Sequence, residues 1–347
     1  LTEVARLTLA IGLMGVALRL PPRYFRKRWR SLLMMLGPVM GLMWLVSGLL
    51  SWALLGVGIW TAFVIGACVT PTDPVLASAT VSGQFARRNL PGRVRHLISG
   101  ESGANDGLAL PLLMLPILIM QRPPDAALGE WLAHSVVWQV GAAVALGWIA
   151  GLVAGYVLHW VETHEPISKT SMLSYTLALS LVVLGAGRML GLDGILAVFV
   201  AGRGFTATAT NRERREEENV QEAVNQFFIL PVFVLLGMTL PWAEWGALGW
   251  RGVALAAAIL LLRRLPAVMG LHRWIPALRQ RGNALFAGWF GPIGVAALLY
   301  ATHAAAQTGA REVWPAVSLV IVSSILAHGI SGAPAIRRMG RRQRSAG

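Results

Sequence analysis

The sequence predicts an all-α polytopic membrane protein in which two inverted trios of helices each contain a broken middle member. Apolar runs of membrane-spanning length recur from end to end. Lys and Arg gather in alternate loops, and proline- or glycine-rich breaks fall at matching places in two distant parts of the chain. Of 347 residues, 55% are hydrophobic and 13% charged, against roughly 25% charged in an average soluble domain. Neither a soluble domain nor a low-complexity segment is legible.

About eleven runs are long enough to cross, or nearly cross, a hydrocarbon core of about 30 Å. They fall at 3–20, 31–51, 57–82, 95–120, 134–160, 170–190, 192–209, 221–241, 247–270, 283–303 and 313–335. The chain starts at Leu1, inside an apolar run and without a signal-peptide pattern, so it reads as a piece lacking its N-terminal spans. With that count and a cytoplasmic tail, residue 1 faces outside. The single cysteine, Cys68, excludes an intramolecular disulfide and a cysteine-rich metal site.

Charge sets the orientation. Arg23, Arg26, Lys27, Arg28 and Arg30 follow the first span, and Arg87, Arg88, Arg93 and Arg95 follow the third. Arg212, Arg214 and Arg215 follow the seventh, Arg273, Arg279 and Arg281 the ninth, and Arg337, Arg338, Arg341, Arg342 and Arg344 fill the tail. The loops at 52–56 and 242–246 carry no Lys or Arg. The positive-inside rule therefore makes every basic loop, and the tail, cytoplasmic in a plasma or bacterial inner membrane. A net charge of +14 invites a nucleic-acid reading, but these charges border spans, and the expected partner is membrane lipid. Trp29, Trp131, Trp160, Trp242, Trp245, Trp250 and Trp274 lie near span ends, as an aromatic belt does. The mixed-charge stretch at 206–222 reads as a solvated cytoplasmic connector.

The runs at 31–51, 57–82 and 95–120 form the first trio, whose middle member is broken at Thr70-Pro71-Thr72-Asp73-Pro74. The runs at 247–270, 283–303 and 313–335 form the second, broken at Gly288-Trp289-Phe290-Gly291-Pro292-Ile293-Gly294. Seven spans separate their onsets, an odd number, so the trios run in opposite directions. Interrupted segments at matching places in two halves point to an inverted-repeat transporter site. Backbone groups freed at such breaks survive only against protein or in a cavity, and crossing half-helices aim their charged ends at one place.

Two acidic elements lie at membrane depth, where a carboxylate is expensive unless paired, hydrated or used. On the 95–120 run, Ser102 and Asp106 share a face, and Glu101 and Asn105 share the next. Gly100, Gly103 and Gly107 let a neighbouring helix come close. Carboxylate, hydroxyl and amide oxygens are the hard ligands that an alkali cation takes, and Asp106 also takes a proton. In the broken run, Pro71 and Pro74 remove backbone donors and resist helix, leaving carbonyls free to ligate an ion. Asp73 either meets that ion, directly or through water, or caps the half-helix starting at Pro74. Arg263 and Arg264 sit in an apolar span and either pair, most naturally with Glu101, or snorkel to the cytoplasmic face. Asp193 reads as a span-end turn residue, and His303 and His328 as helix-end or packing residues.

At these motifs the chain resembles the monovalent cation:proton antiporter superfamily of bacterial NhaP-type and eukaryotic NHE-type exchangers. The strings are Ala67-Cys68-Val69-Thr70-Pro71-Thr72-Asp73-Pro74-Val75-Leu76-Ala77, Glu101-Ser102-Gly103-Ala104-Asn105-Asp106-Gly107, Gly194-Ile195-Leu196-Ala197-Val198-Phe199-Val200-Ala201-Gly202 and Gly288-Trp289-Phe290-Gly291-Pro292-Ile293-Gly294-Val295. The last looks like the branch with fungal plasma-membrane sodium and potassium exporters. The resemblance implies an inverted-repeat antiporter fold with two crossing broken helices (Pro71 and Pro74 in one, Gly291 and Pro292 in the other) and a homodimer. Transport-core repeats are then 31–120 and 247–336, dimerisation-unit spans 1–30 and 170–246, a linking span 121–169, and a basic tail 337–347. It implies that Asp106 takes Na⁺ or H⁺ in turn, with Ser102, Thr72 and Asp73 completing the Na⁺ shell. Asn105 bridges the broken helix to the site, and Glu101 pairs with Arg264. Asn rather than Asp before the carrier goes with electroneutral exchange, and neither an enzyme activity nor a cofactor is implied. Two departures stand out: many members carry a basic residue where Ile293 stands, and an acidic one near Arg19.

The expected function is exchange of Na⁺, K⁺ or Li⁺ for H⁺ by alternating access. Two other readings stand beside it. Gly100-Glu101-Ser102-Gly103 matches the Gly-x-Ser-Gly of rhomboid intramembrane proteases, with His303 or His328 as partner. A passive cation channel is the other.

Overall fold

The computed structural model describes residues 1–81, 83–164, 169–208 and 227–344. The charged run at 212–218 lies outside them, as does most of the expected connector. Among the described residues every regular element is helical.

In chain order the helices are α1 (Thr2–Arg19), α2 (Tyr24–Leu55), α3 (Ile59–Cys68), α4 (Pro74–Val81), α5 (Gly83–Asn89), α6 (Gly92–Gln121) and α7 (Pro124–Val161). They continue as α8 (Lys169–Met189), α9 (Gly194–Thr208), α10 (Phe227–Met238), α11 (Trp242–Leu262), α12 (Leu265–Leu271), α13 (Arg281–Trp289), α14 (Val295–Thr308) and α15 (Val313–Arg344). Each expected apolar run is occupied by one of these or by a broken pair. Among the described residues, five helical stretches are long and apolar enough to cross a membrane.

Both expected breaks are present, between α3 and α4 and between α13 and α14. In the first, Pro74 opens the next helix, where its missing N–H costs nothing. In the second, Gly294 (φ −156°, ψ −121°) precedes Val295, and an added Cβ there would collide with the Asp73 carboxylate. The chain also departs from the expected continuous span at 247–270. Helix α11 ends at Leu262, and α12 starts beyond Arg263-Arg264, with Pro266 in its first turn. The Pro266 ring would clash with the carbonyl four residues back, at Leu262, so one helix cannot continue through. Gly249 (φ +52°) kinks α11 near its start, so residues 242–246, expected as a loop, are helical.

Small residues set the closest packing. Gly66 of α3 lies against the Gly48 backbone of α2, and Gly147, Gly151 and Gly155 of α7 face Ala197, Ala201 and Thr208 of α9. The glycine face of α6 receives α9 as well, Gly103 against Phe199 and Gly107 against Leu196. Without a hydrophobic driving force between helices in lipid, such close approach is what holds them. The tryptophan belt is partial: Trp29, Trp160, Trp242, Trp250 and Trp274 are exposed. Trp131 and Trp245 instead turn inward and donate their indole N–H to the carbonyls of Pro111 and Pro315.

Candidate functional site

The two breaks meet. The Asp73 amide donates to the Pro292 carbonyl at 2.8 Å, tying one unwound segment to the other. Asp73 then serves both helices that start at the crossing. Its Oδ1 accepts from the Leu76 amide in the first turn of α4 at 3.1 Å, and its Oδ2 accepts from the Val295 amide at the start of α14. One buried anion thus caps two helix N-termini, each carrying about half a positive charge. Of the two roles open to Asp73 in the sequence, the cap is the one its oxygens occupy.

The opposite ends carry a cation. Arg263, buried, donates through Nη1 to the carbonyls of Val69, Thr70 and Pro71 at the C-terminus of α3, and through Nη2 to Gly291 just past α13. Those carbonyls therefore satisfy a guanidinium, which corrects the expectation that the first break leaves them free for an ion. Arg263 does not snorkel. It also supplies a positive charge at the second break, where Ile293 has none.

Arg264 points another way. Its Nη1 and Nη2 donate to Glu101 Oε1 and Oε2 at 2.7 and 2.9 Å, a fork-to-fork pair, while Nε donates to the Ala287 carbonyl at 2.9 Å. Both side chains are buried. The pair joins α6 to the link between α11 and α12, so it ties the two trios together. Removing one partner of such a pair leaves an uncompensated charge and costs about 3–5 kcal/mol.

Asn105 connects pair and break. Its Nδ2 donates to Glu101 Oε1 at 2.9 Å and to Thr72 Oγ1 at 2.7 Å, and its Oδ1 accepts from the Thr72 amide at 3.3 Å. The hydroxyls of Thr72 and Ser102 lie 3.1 Å apart. Ser102 and Asp106 are one helical turn apart on α6, and both are buried. Among the described residues, neither carboxylate oxygen of Asp106 has a hydrogen-bond partner. Its main-chain carbonyl accepts from Tyr300 Oη of α14, which anchors the turn that presents it.

Of the residues singled out in the sequence, Thr72, Asp73, Glu101, Ser102, Asn105, Arg264, Pro71, Pro74, Gly291 and Pro292 converge on this crossing, with Asp106 a turn along α6. Asp193 caps α9, its Oδ1 accepting from the Ile195 and Leu196 amides at 3.0 Å each, while its buried Oδ2 has no hydrogen-bond partner among the described residues. His328 closes α13: Nε2 meets the Trp289 carbonyl at 2.9 Å and Nδ1 the Ser324 carbonyl at 2.8 Å. Ser324 Oγ accepts from the Ile293 amide at 2.8 Å. Among the described residues Ser102 bonds Thr72 and no histidine, so the serine–histidine pairing of a protease is not formed. Sequence reasoning missed the Arg263 fork, the Tyr300 anchor and the Ser324–His328 brace. Polar groups at i and i+4 in an apolar run were the available signal for the brace.

Comparison with known proteins agrees with this architecture. The family model for the sodium/hydrogen exchanger, transmembrane, matches residues 1–338. Na(+)/H(+) antiporter 2 of Zygosaccharomyces rouxii is 33% identical over 360 residues, covering 95% of this chain and 44% of its own length. A Na(+)/H(+) antiporter of Schizosaccharomyces pombe is 30% identical over 354 residues, covering 95% and 76%. The chain thus spans less than half of the Zygosaccharomyces rouxii relative. The solved sodium proton antiporter MjNhaP1 of Methanocaldococcus jannaschii superposes with a TM-score of 0.73 at 17% identity, over 97% of this chain and 85% of that one. With its two crossing breaks and this match along nearly its whole length, the chain belongs to the sodium/hydrogen exchanger family.

Proposed function

We propose that this chain exchanges Na⁺ for H⁺ across a membrane, with Asp106 binding one or the other. The observation that carries the reading is the Asp106 carboxylate, fully buried with neither oxygen hydrogen-bonded among the described residues, near Thr72, Ser102 and Asn105, whose polar groups are partnered. A buried charge without compensation is costly, and a bound proton or alkali cation removes that cost. Ser102 and Thr72 supply hydroxyl oxygens for Na⁺, and Asn105 holds Thr72 in place. Asp73 acts from the crossing, setting the ends of the two half-helices. Relatives named as Na(+)/H(+) antiporters support the choice of Na⁺, and K⁺ or Li⁺ fit the same oxygen donors.

One carboxylate that is neutral when loaded, followed by an amide-bearing Asn105 rather than a second acid, favours electroneutral exchange. The core made of 31–120 and 247–336 then carries the site from one face to the other against spans 1–30 and 170–246, which pair two copies into a homodimer. Helix α7, in 121–169, links the two units. The basic loops and tail face the cytoplasm of a plasma or bacterial inner membrane.

The test is cation-driven dequenching of a pH dye in proteoliposomes, with Na⁺, K⁺ and Li⁺ in turn. Na⁺ is expected to discharge an imposed pH gradient. No response to any of the three, or currents indifferent to the gradient, overturns the reading.

A further inference from the structure

Away from the crossing, a cavity of about 900 Å³ opens where the first turns of α6 and α13 meet the last turns of α15. Thr72, Ser102 and Asp106 are not among its lining residues. Its two ends differ in chemistry. Arg93, Gln280 and Arg338 are exposed at one end, while Phe286, Trp289 and Phe290 line the inner part. Among the described residues, no acidic side chain lines it. Arg93 Nη2 donates to Gln280 Oε1 at 2.7 Å, which holds its guanidinium beside the start of α13.

Helix α6 starts after Pro91 and α13 after Gln280, and neither start has a side-chain cap. Two uncapped helix N-termini and two guanidinium groups at one opening form a receptor for an oxyanion. The apolar inner part asks for hydrocarbon. An anion joined to hydrocarbon, at the arginine-rich end of a membrane helix bundle, is an anionic phospholipid, and basic pockets between spanning helices take such headgroups.

We propose that this cavity seats an anionic phospholipid, its phosphate between Arg93 and Arg338 and part of an acyl chain against Phe286 and Trp289. The occupant would bear on the second broken helix. Trp289 donates its indole N–H to Ser331 Oγ at 2.9 Å, its carbonyl meets His328, and Phe290 begins the break. Lipid composition would then tune the crossing. That consequence rests on the exchange reading; the binding does not, and it is tested separately.

The purified chain in detergent is titrated with phosphatidylglycerol and with phosphatidylcholine, reading the melting temperature and, by native mass spectrometry, the retained lipid. Phosphatidylglycerol is expected to raise the melting temperature and stay bound, and phosphatidylcholine to do neither. R93Q/R338Q removes two surface charges and weakens phosphatidylglycerol binding about 30-fold. R26Q/R30Q, removing the same charge outside the cavity, leaves binding unchanged, and R93K/R338K retains most of it. Equal binding of phosphatidylcholine, an equal loss in R26Q/R30Q, or the same thermal shift from inorganic phosphate alone overturns the proposal.

Discussion

Asp73 and Asp106 are the same residue type, 1% and 0% exposed, in neighbouring elements of one core, yet their surroundings are opposite. Asp73 spends both oxygens on helix starts, while Asp106 spends neither among the described residues. Burial alone does not separate these two carboxylates. Satisfaction does. A partnered buried acid stabilises what it ties, and an unpartnered one stores a cost that only a ligand or a proton relieves.

The contrast can be broken experimentally. Asp106→Asn should abolish exchange in proteoliposomes while the melting temperature holds or rises, because an unpaired charge has gone. Unfolding of this variant would place Asp106 with Asp73 and remove the distinction. Next in size, Arg264→Met should cost about 3–5 kcal/mol of stability by stranding Glu101. The double variant with Glu101→Gln should melt above the sum of the single losses, since the two residues share one interaction. Asp73→Asn keeps one acceptor but turns an amide toward a helix start, so a loss of about 1–2 kcal/mol is expected, with exchange slowed but present. The smallest change is Ser102→Ala. It should leave melting nearly unaltered and weaken the half-saturating Na⁺ concentration about fivefold, the worth of one hydrogen-bonding oxygen of about 1 kcal/mol. A Ser102→Ala protein with wild-type Na⁺ dependence would remove the hydroxyl from the cation's shell.

Much of this was legible beforehand, for physical reasons that differ by residue. Proline has one backbone behaviour wherever it stands, so the breaks at Pro71, Pro74 and Pro292 could be read locally. Spacing of four on a helix fixes a shared face, so the grouping of Ser102 with Asp106 and of Glu101 with Asn105 followed directly. The pairing of Arg264 with Glu101 depended on tertiary placement and on resemblance. Adjacent Arg263 shows why: one residue along, a helix end turns the side chain about 100°, to the carbonyls of both breaks instead of to a carboxylate. The interruption at Arg263-Arg264 was hidden by the apolar residues on either side, although Pro266 signalled it. The Gly147-x-x-x-Gly151-x-x-x-Gly155 stripe was equally available, as the small-residue spacing of a close helix contact.

The Arg263 fork limits how the molecule can move. A guanidinium that holds the end of α3 and the end of α13 together rivets the two interrupted helices, so neither can slide past the other without tearing out a buried cation. If the chain exchanges ions as proposed, travel is to be sought elsewhere, at the close contact of Gly103 and Gly107 with Phe199 and Leu196. On that view the crossing is a rigid carriage and α9 is its rail.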